Sequence, residues 1–207
     1  MRIYEFDGGA NPKRLRAFLS EKGILDNMEF VRLDVAKGEN RQPDFKRKNS
    51  KGTLPVLELD DGTIIAEGVA ICRYFELIHP DPSLMGRSAT EQAIVEMWNR
   101  RIELGLFRCI EDVVRNTNSF FKDIVIQREE VAEVGRKAAA QECEWLDAEL
   151  IDRRYLAGDR FSIADITLGA AFYLGLASVV DVEAGYKNIA RWHDELFERE
   201  SFKLAFG

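Results

Sequence analysis

The stretch from Gly52 to Tyr74, GTLPVLELDDGTIIAEGVAICRY, limits the fold more than any other part of the chain. Leu54 to Leu59 alternates around Pro55, Asp60-Asp61-Gly62 supplies a turn, and Thr63 to Ala66 returns as a second short strand. Asp-Gly between two apolar runs is a hairpin signal. Glu67 and Gly68 then open a helix, because Ile71, Tyr74, Phe75 and Ile78 recur at i, i+3, i+4 and i+7. Proline inside a strand belongs at an edge, or where its carbonyl side faces a ligand. A carboxylate in the first turn of a helix lies beside backbone N–H groups that have no intrahelical acceptor. Two backbone features and one carboxylate thus meet at one end of a small sheet, a place that can hold a peptide-like ligand.

The chain before this stretch completes a sheet. Arg2 to Phe6 alternates as strand one, and Asp7-Gly8-Gly9-Ala10 is a loop. Asn11 is expected at the N-cap and Pro12 at the first helical position, where both are favoured. Leu15, Phe18 and Leu19 give that helix its apolar face, and Gly23 ends it. Met28 to Leu33 is strand two, followed by a polar segment with a short helix around Asp44 to Lys48. A crossover helix makes strands one and two parallel, whereas the hairpin adds antiparallel strands.

His79-Pro80-Asp81-Pro82-Ser83 breaks the pattern and marks a linker. The expected division is a first domain over 1–79, a linker over 80–87 and an all-helical domain over 88–207. One long helix is expected from Ser88 to about Thr117, and a second from about Ile124 to Leu150 with Val131, Val134, Ala138, Trp145 and Leu146 facing inward. Ser162 with Asp165 three residues later is a capping box, with Phe161 placed to staple onto Ile166. Ile166 to Val180 is so apolar that its helix must be central to a bundle.

Composition narrows the function classes. A net charge of −7 argues against a nucleic-acid footprint, which needs a basic face. No run approaches the roughly 18 apolar residues of a membrane span, and the charged start reads as a strand of a cytoplasmic protein. Cys72, Cys109 and Cys143 are far apart and lie in helical patterns, so neither a metal site nor a dithiol motif is indicated. With His79 and His193 as the only histidines, a histidine-based hydrolase is disfavoured.

Leu54-Pro55, the hairpin and Glu67 resemble the glutathione-binding half of the cytosolic glutathione S-transferases, in which a cis prolyl bond, a hairpin and Glu-Ser opening a helix recur. The segment Leu156-Ala157-Gly158-Asp159 through Ser162-Ile163-Ala164-Asp165 resembles the family's second hallmark, the capping box of its buried helix, whose role is folding. These hallmarks lie about 100 residues apart, so the resemblance covers essentially the whole chain. It implies an α/β thioredoxin-like domain of order βαβαββα followed by an all-helical bundle, a homodimer, and glutathione as substrate, with no metal.

The resemblance also implies roles. Glu67 would pair with the γ-glutamyl amino group, the Leu54 backbone would exchange hydrogen bonds with the cysteinyl unit, and Thr53, Pro55 and Gly68 would complete the contact. Gly68 stands where the family usually has serine, leaving only a backbone N–H. Asn40, Arg41 and Lys51 are alternatives for the glycyl carboxylate. Asp7 to Pro12 contains none of the serine, cysteine or tyrosine that many members use to activate the thiol. Asn11 is the best remaining donor, matching the asparagine of bacterial, Nu-class-like members with Thr-Pro-Asn, some of them disulfide-bond reductases. Tyr4 is a weaker candidate, and Arg14 faces the site more plausibly than Arg16. The electrophile pocket would be lined by Trp98, Arg101, Ile102, Gly105, Phe107 and Arg108, with Phe120 and Phe121 beyond. The implied reaction is conjugation of glutathione to a small hydrophobic electrophile. Glutathione-dependent disulfide reduction keeps the same fold. A non-catalytic, protein-binding member is the alternative of another class.

Overall fold

Ile3 and Tyr4 point to opposite faces of β1 (Arg2–Glu5), and both are buried. β1 therefore lies between two apolar layers. It pairs in parallel with β2 (Glu29–Arg32) and antiparallel with β3 (Val56–Glu58), which pairs antiparallel with β4 (Ile64–Ala66), giving the order β2-β1-β3-β4. The computed structural model describes residues 1–207, which divide into two units, Met1–Ser83 and Leu84–Gly207.

In the first unit, α1 (Ala10–Glu21) and α3 (Gly68–Ile78) pack together and bury Leu15, Phe18, Leu19, Ile71 and Phe75. Tyr4, Leu54 and Val56 form a second cluster with Phe45 of α2 (Pro43–Lys48). α1 begins one residue before Asn11, with Gly9 at its N-cap and no side-chain cap. Pro12 is tolerated there because the first-turn N–H groups have no intrahelical acceptor in any case. Near the far end of α1, the buried Lys22 ammonium pairs with Glu76 at 2.5 Å. It also donates to the His79 and Pro82 carbonyls at 2.8 and 2.6 Å. A buried ammonium needs such partners, and here they hold the chain as it leaves α3.

The second unit is helical: α4 (Ala89–Ile102), α5 (Arg108–Thr117), α6 (Glu129–Glu149), α7 (Ile163–Leu174), α8 (Leu176–Val179), α9 (Val182–Gly185), α10 (Lys187–Phe197) and α11 (Glu200–Phe206). The helix expected over Ser88–Thr117 is interrupted by a π-helical turn at Glu103–Phe107. α6 starts at Glu129 rather than near Ile124, and its buried face is Ala132, Gly135, Ala139, Cys143 and Leu146. Val131 and Val134 point outward instead, Val134 being 67% exposed. The cause is close helix packing. A Cβ on Gly135 would meet Val113 at 2.9 Å and the Cys109 carbonyl at 3.0 Å, so small residues rather than valines face α5. Cys72 and Cys143 are buried, while Cys109 is half-buried.

α7 is central and buried from Ile163 through Ala171, capped by Ser162. Phe161 makes edge contacts with the Tyr155 and Phe202 rings. The buried Asp165 carboxylate accepts from the Leu156 N–H (3.0 Å), the Trp192 indole N–H (3.1 Å) and the Ser162 N–H (3.0 Å). Burial nevertheless outweighs these donors and pushes its pKa up to about 6. The folded value exceeds the unfolded one, so this group's stabilising contribution is present below about pH 4. It is lost as pH rises through about 6.

Asp165→Ala strands three buried donors and is expected to cost about 3 kcal/mol or more in urea unfolding. Asp165→Asn is expected to remove the decline in wild-type stability between about pH 4 and 7 that this group causes.

Candidate functional site

The loop between α2 and β3 is shaped by two asparagines, Asn40 from before α2 and Asn49 from after it. Asn40 donates from Nδ2 to the Gly52 carbonyl at 2.7 Å. Gly52 has φ +65°, and a Cβ there would lie 2.7 Å from the Asn40 carbonyl oxygen, so only glycine fits. The buried Asn49 donates from Nδ2 to both the carbonyl and the hydroxyl of Thr53, at 2.9 and 3.0 Å. Leu54 follows, joined to Pro55 by a cis peptide bond. Leu54 is outside the sheet ladder, which begins at Val56, and its N–H and carbonyl enter no backbone turn bond. They form an unused backbone edge beside the sheet.

After the hairpin, Glu67 occupies the N-cap of α3 with φ 71° and ψ 117°, the only non-glycine residue with positive φ. Its side chain is exposed and does not cap the helix. Such backbone strain in a non-glycine residue costs on the order of 1–3 kcal/mol and collects at ligand-binding positions. The first amides of α3 thus receive no bond from the Glu67 side chain.

The start of α1 lies against the start of α3. A Cβ on Gly68 would be 3.8 Å from the Asn11 carbonyl oxygen and 3.4 Å from Nη2 of Arg14. Two helix N-termini, each with partial positive charge and donors of its own, thus meet the guanidinium of the buried Arg14. A Cβ at position 68 would thus rest in ordinary van der Waals contact with Arg14. Gly9, by contrast, is fixed, because a Cβ there would lie 2.5 Å from the Phe6 ring and 2.8 Å from Pro12. Asn11 is half-buried in the first turn, and its side chain bonds to no other protein group. This constellation suits an extended anion with peptide groups.

The other sequence candidates separate. Tyr4 is buried and hydrogen-bonds Glu58, which also accepts from Lys48 at 2.9 Å. The Tyr4 bond, then the Lys48 bond, holds the Glu58 carboxyl below its ordinary pKa. Arg16 pairs with Glu5 and lies 3.9 Å over the Phe30 ring, away from α3. Arg41, before α2, and Lys51, after it, are both exposed. Asn49 was not among the sequence candidates. Its signal was the Asx turn in which its Oδ1 accepts from the Lys51 N–H at 3.2 Å.

In the helical unit, Trp98 and Phe107 are buried core residues, with Trp98 stacked on Trp145 at 5.6 Å. Arg108 pairs with Glu111 and Asp112 at 3.2 and 2.8 Å. Of the pocket candidates, Arg101 and Gly105 line an open cleft of about 520 Å³, with Arg100, Leu104, Glu142 and Trp145. No helix is long and apolar enough to cross a membrane, and no three His, Cys, Asp or Glu side chains group as metal ligands do.

Residues 10–78 match the family model for the glutathione S-transferase N-terminal domain, and residues 101–200 that for the C-terminal domain. Glutathione S-transferase 2 of Saccharomyces cerevisiae is 35% identical over 205 residues, covering 98% of this chain and 88% of that protein. The crystal structure of a glutathione S-transferase domain-containing protein from Marinobacter aquaeolei VT8 is similar at TM-score 0.92 and 36% identity, covering 98% of this chain and 100% of that one. That of Gtt2 from S. cerevisiae is similar at TM-score 0.89 and 34% identity, covering 99% and 100%.

Gly52→Ala is expected to lower stability by about 2 kcal/mol or more, from positive φ and the clash with the Asn40 carbonyl. Thermal unfolding reads this, and an unchanged melting temperature would contradict the loop geometry.

Proposed function

Because this chain belongs to the glutathione S-transferase family, we propose that it binds glutathione at the meeting point of α1 and α3 and transfers its thiolate to a small hydrophobic electrophile. The observation that carries this reading is the strained, exposed Glu67 beside an unused Leu54 backbone edge. Glu67 holds the γ-glutamyl ammonium, and the first amides of α3 take the neighbouring carboxylate. Leu54 exchanges backbone hydrogen bonds with the cysteinyl unit, kept in place by Pro55 and by Asn49 acting through Thr53. Asn40, by donating to the Gly52 carbonyl, ties together the two ends of the α2 segment that carry Arg41 and Lys51, the cations available to the glycyl carboxylate.

The thiol proton leaves to solvent, and the thiolate rests against the first turn of α1. The Ala10 and Asn11 N–H groups and the Asn11 carboxamide favour the charged form. Lowering a thiol pKa by two units from about 8.5 requires roughly 2.7 kcal/mol of preference for thiolate. Two or three charge-assisted hydrogen bonds near a helix N-terminus are of that size. The electrophile then bonds to sulfur as its leaving group departs or its double bond opens. A second reading, attack of the thiolate on a disulfide, is favoured by one observation: the loop Asp7–Asn11 offers no hydroxyl or thiol of its own.

Isothermal titration tests the site. Glu67→Ala is expected to weaken glutathione binding at least about tenfold, the loss of one charge-assisted hydrogen bond. Asn11→Ala is expected to leave affinity within about twofold while raising the bound thiol's pKa by about one unit. Unchanged affinity in Glu67→Ala would remove the assignment.

A further inference from the structure

The two faces of β1 are covered very differently. Against one, α1 and α3 bury Leu15, Phe18, Leu19, Ile71 and Phe75. Against the other lies the six-residue α2, within a stretch, 34–53, whose only buried residues are Gly38, Phe45, Asn49 and Gly52. Phe45 is thus the one large apolar side chain that this stretch sinks onto the sheet. A segment with so little apolar burial has little local stability of its own. Specific side-chain bonds then decide where it sits.

Those bonds converge on Tyr4, in an interior strand of the sheet. The Tyr4 ring meets the Phe45 ring edge-on at 5.8 Å and clusters with Leu54 and Val56. The Lys48 ammonium stands 5.2 Å from the same ring's centroid. The Tyr4 hydroxyl donates to one oxygen of Glu58, and Lys48 donates to the other at 2.9 Å. Tyr4, Glu58 and Lys48 therefore close a circuit that joins β1, β3 and α2. The Glu58 bond raises the Lys48 pKa and the Tyr4 bond lowers that of Glu58, which keeps both charged near neutral pH. The Lys48 and Glu58 side chains are 33% and 20% exposed. Such a pair adds little to global stability, but it can set the position of a segment held otherwise by one phenylalanine.

We propose that Tyr4, Glu58 and Lys48 are positioning residues for glutathione, seating the α2 segment so that the Leu54 backbone edge and the cations flanking α2 stand in place together. The inference rests on the assignment of glutathione to this unit and deepens it. The route is short. One residue after Lys48, Asn49 holds the Thr53 carbonyl and hydroxyl, and Leu54 follows. Asn40 holds the Gly52 carbonyl, so Arg41 and Lys51 are carried with α2. A seat lost at Lys48 loosens the contacts to the cysteinyl backbone and the glycyl carboxylate at once. The first turn of α1, which favours the thiolate, is left as it was. A phenylalanine at position 4 would keep the ring contacts, so the hydroxyl serves to place Glu58.

Isothermal titration with glutathione, thiolate absorbance of the bound ligand and amide hydrogen exchange of the free protein test this on the full chain. Tyr4→Phe and Lys48→Ala are each expected to weaken glutathione binding about five- to tenfold. Both are expected to speed exchange at the Asn49 and Gly52 amides by about the same factor, with α1 and α3 unchanged. The pKa of the bound thiol is expected to stay at its wild-type value, which separates positioning from activation. The double variant Tyr4→Phe/Lys48→Ala is expected to bind within about twofold of the weaker single variant, because both changes break one circuit. Lys48→Arg, which keeps the charge, is expected to bind within about twofold of wild type. A wild type that does not bind glutathione would overturn the glutathione assignment and this inference together. Single variants that bind as tightly as wild type, a shifted thiol pKa in either, or losses that add in the double variant would overturn this inference alone.

Discussion

The site depends on the meeting of two helix N-termini. The first turns of α1 and α3 lie close enough that a Cβ on Gly68 would sit 3.8 Å from the Asn11 carbonyl oxygen, and each brings amide donors without intrahelical partners. Donors aimed at one place from two helices favour negative charge there, and the Arg14 guanidinium adds to the same field. Glycine at position 68 belongs to this arrangement. A Cβ there would lie in ordinary contact with Arg14 at 3.4 Å, and the hydroxyl contact that the family resemblance implies is absent, leaving only the backbone N–H.

Holding the helices in that relation uses unfavourable local geometry. Glu67 takes positive φ without being glycine, and Gly52 must accept a carbonyl at a distance no Cβ tolerates. Asn40 and Asn49 hold the intervening loop through side-chain hydrogen bonds to backbone rather than through secondary structure. The cost is offset by the two apolar layers around β1 and by the buried Lys22, which fastens the chain leaving α3. The strained backbone lies next to the well-packed core, the arrangement that lets a binding site stay preorganised.

Much of this was legible in the sequence. The hairpin signal at Asp61-Gly62, the apolar period after Gly68 and the Ser162–Asp165 capping box are local features, and local features survive folding. What the sequence concealed was set by neighbours in space. Asn11 has the profile of an N-cap, yet the helix starts at Ala10 because Gly9 is fixed between Phe6 and Pro12. Val131 and Val134 carry a helical apolar period as convincing as the true one. Only the close approach of α5 at Gly135 decides that alanine and glycine face inward. Trp98 and Phe107 were pocket candidates by position along the helix, but burial assigns them to the bundle, and the π-helical turn that alters the helix register has no composition signal. Asn49 was overlooked because a single asparagine in a polar loop is usually only a turn former.

The central claim is that this fold can stabilise a thiolate with backbone donors and an asparagine in place of a hydroxyl or thiol side chain. Thiolate absorbance of glutathione bound to the wild-type protein, followed from about pH 5 to 10, tests it most directly. The account predicts a bound-thiol pKa at least about one unit below the ordinary thiol value near 8.5. A bound thiol titrating at the ordinary value would contradict it, and would leave the α1–α3 junction a glutathione-binding surface without the activation that transferase chemistry requires.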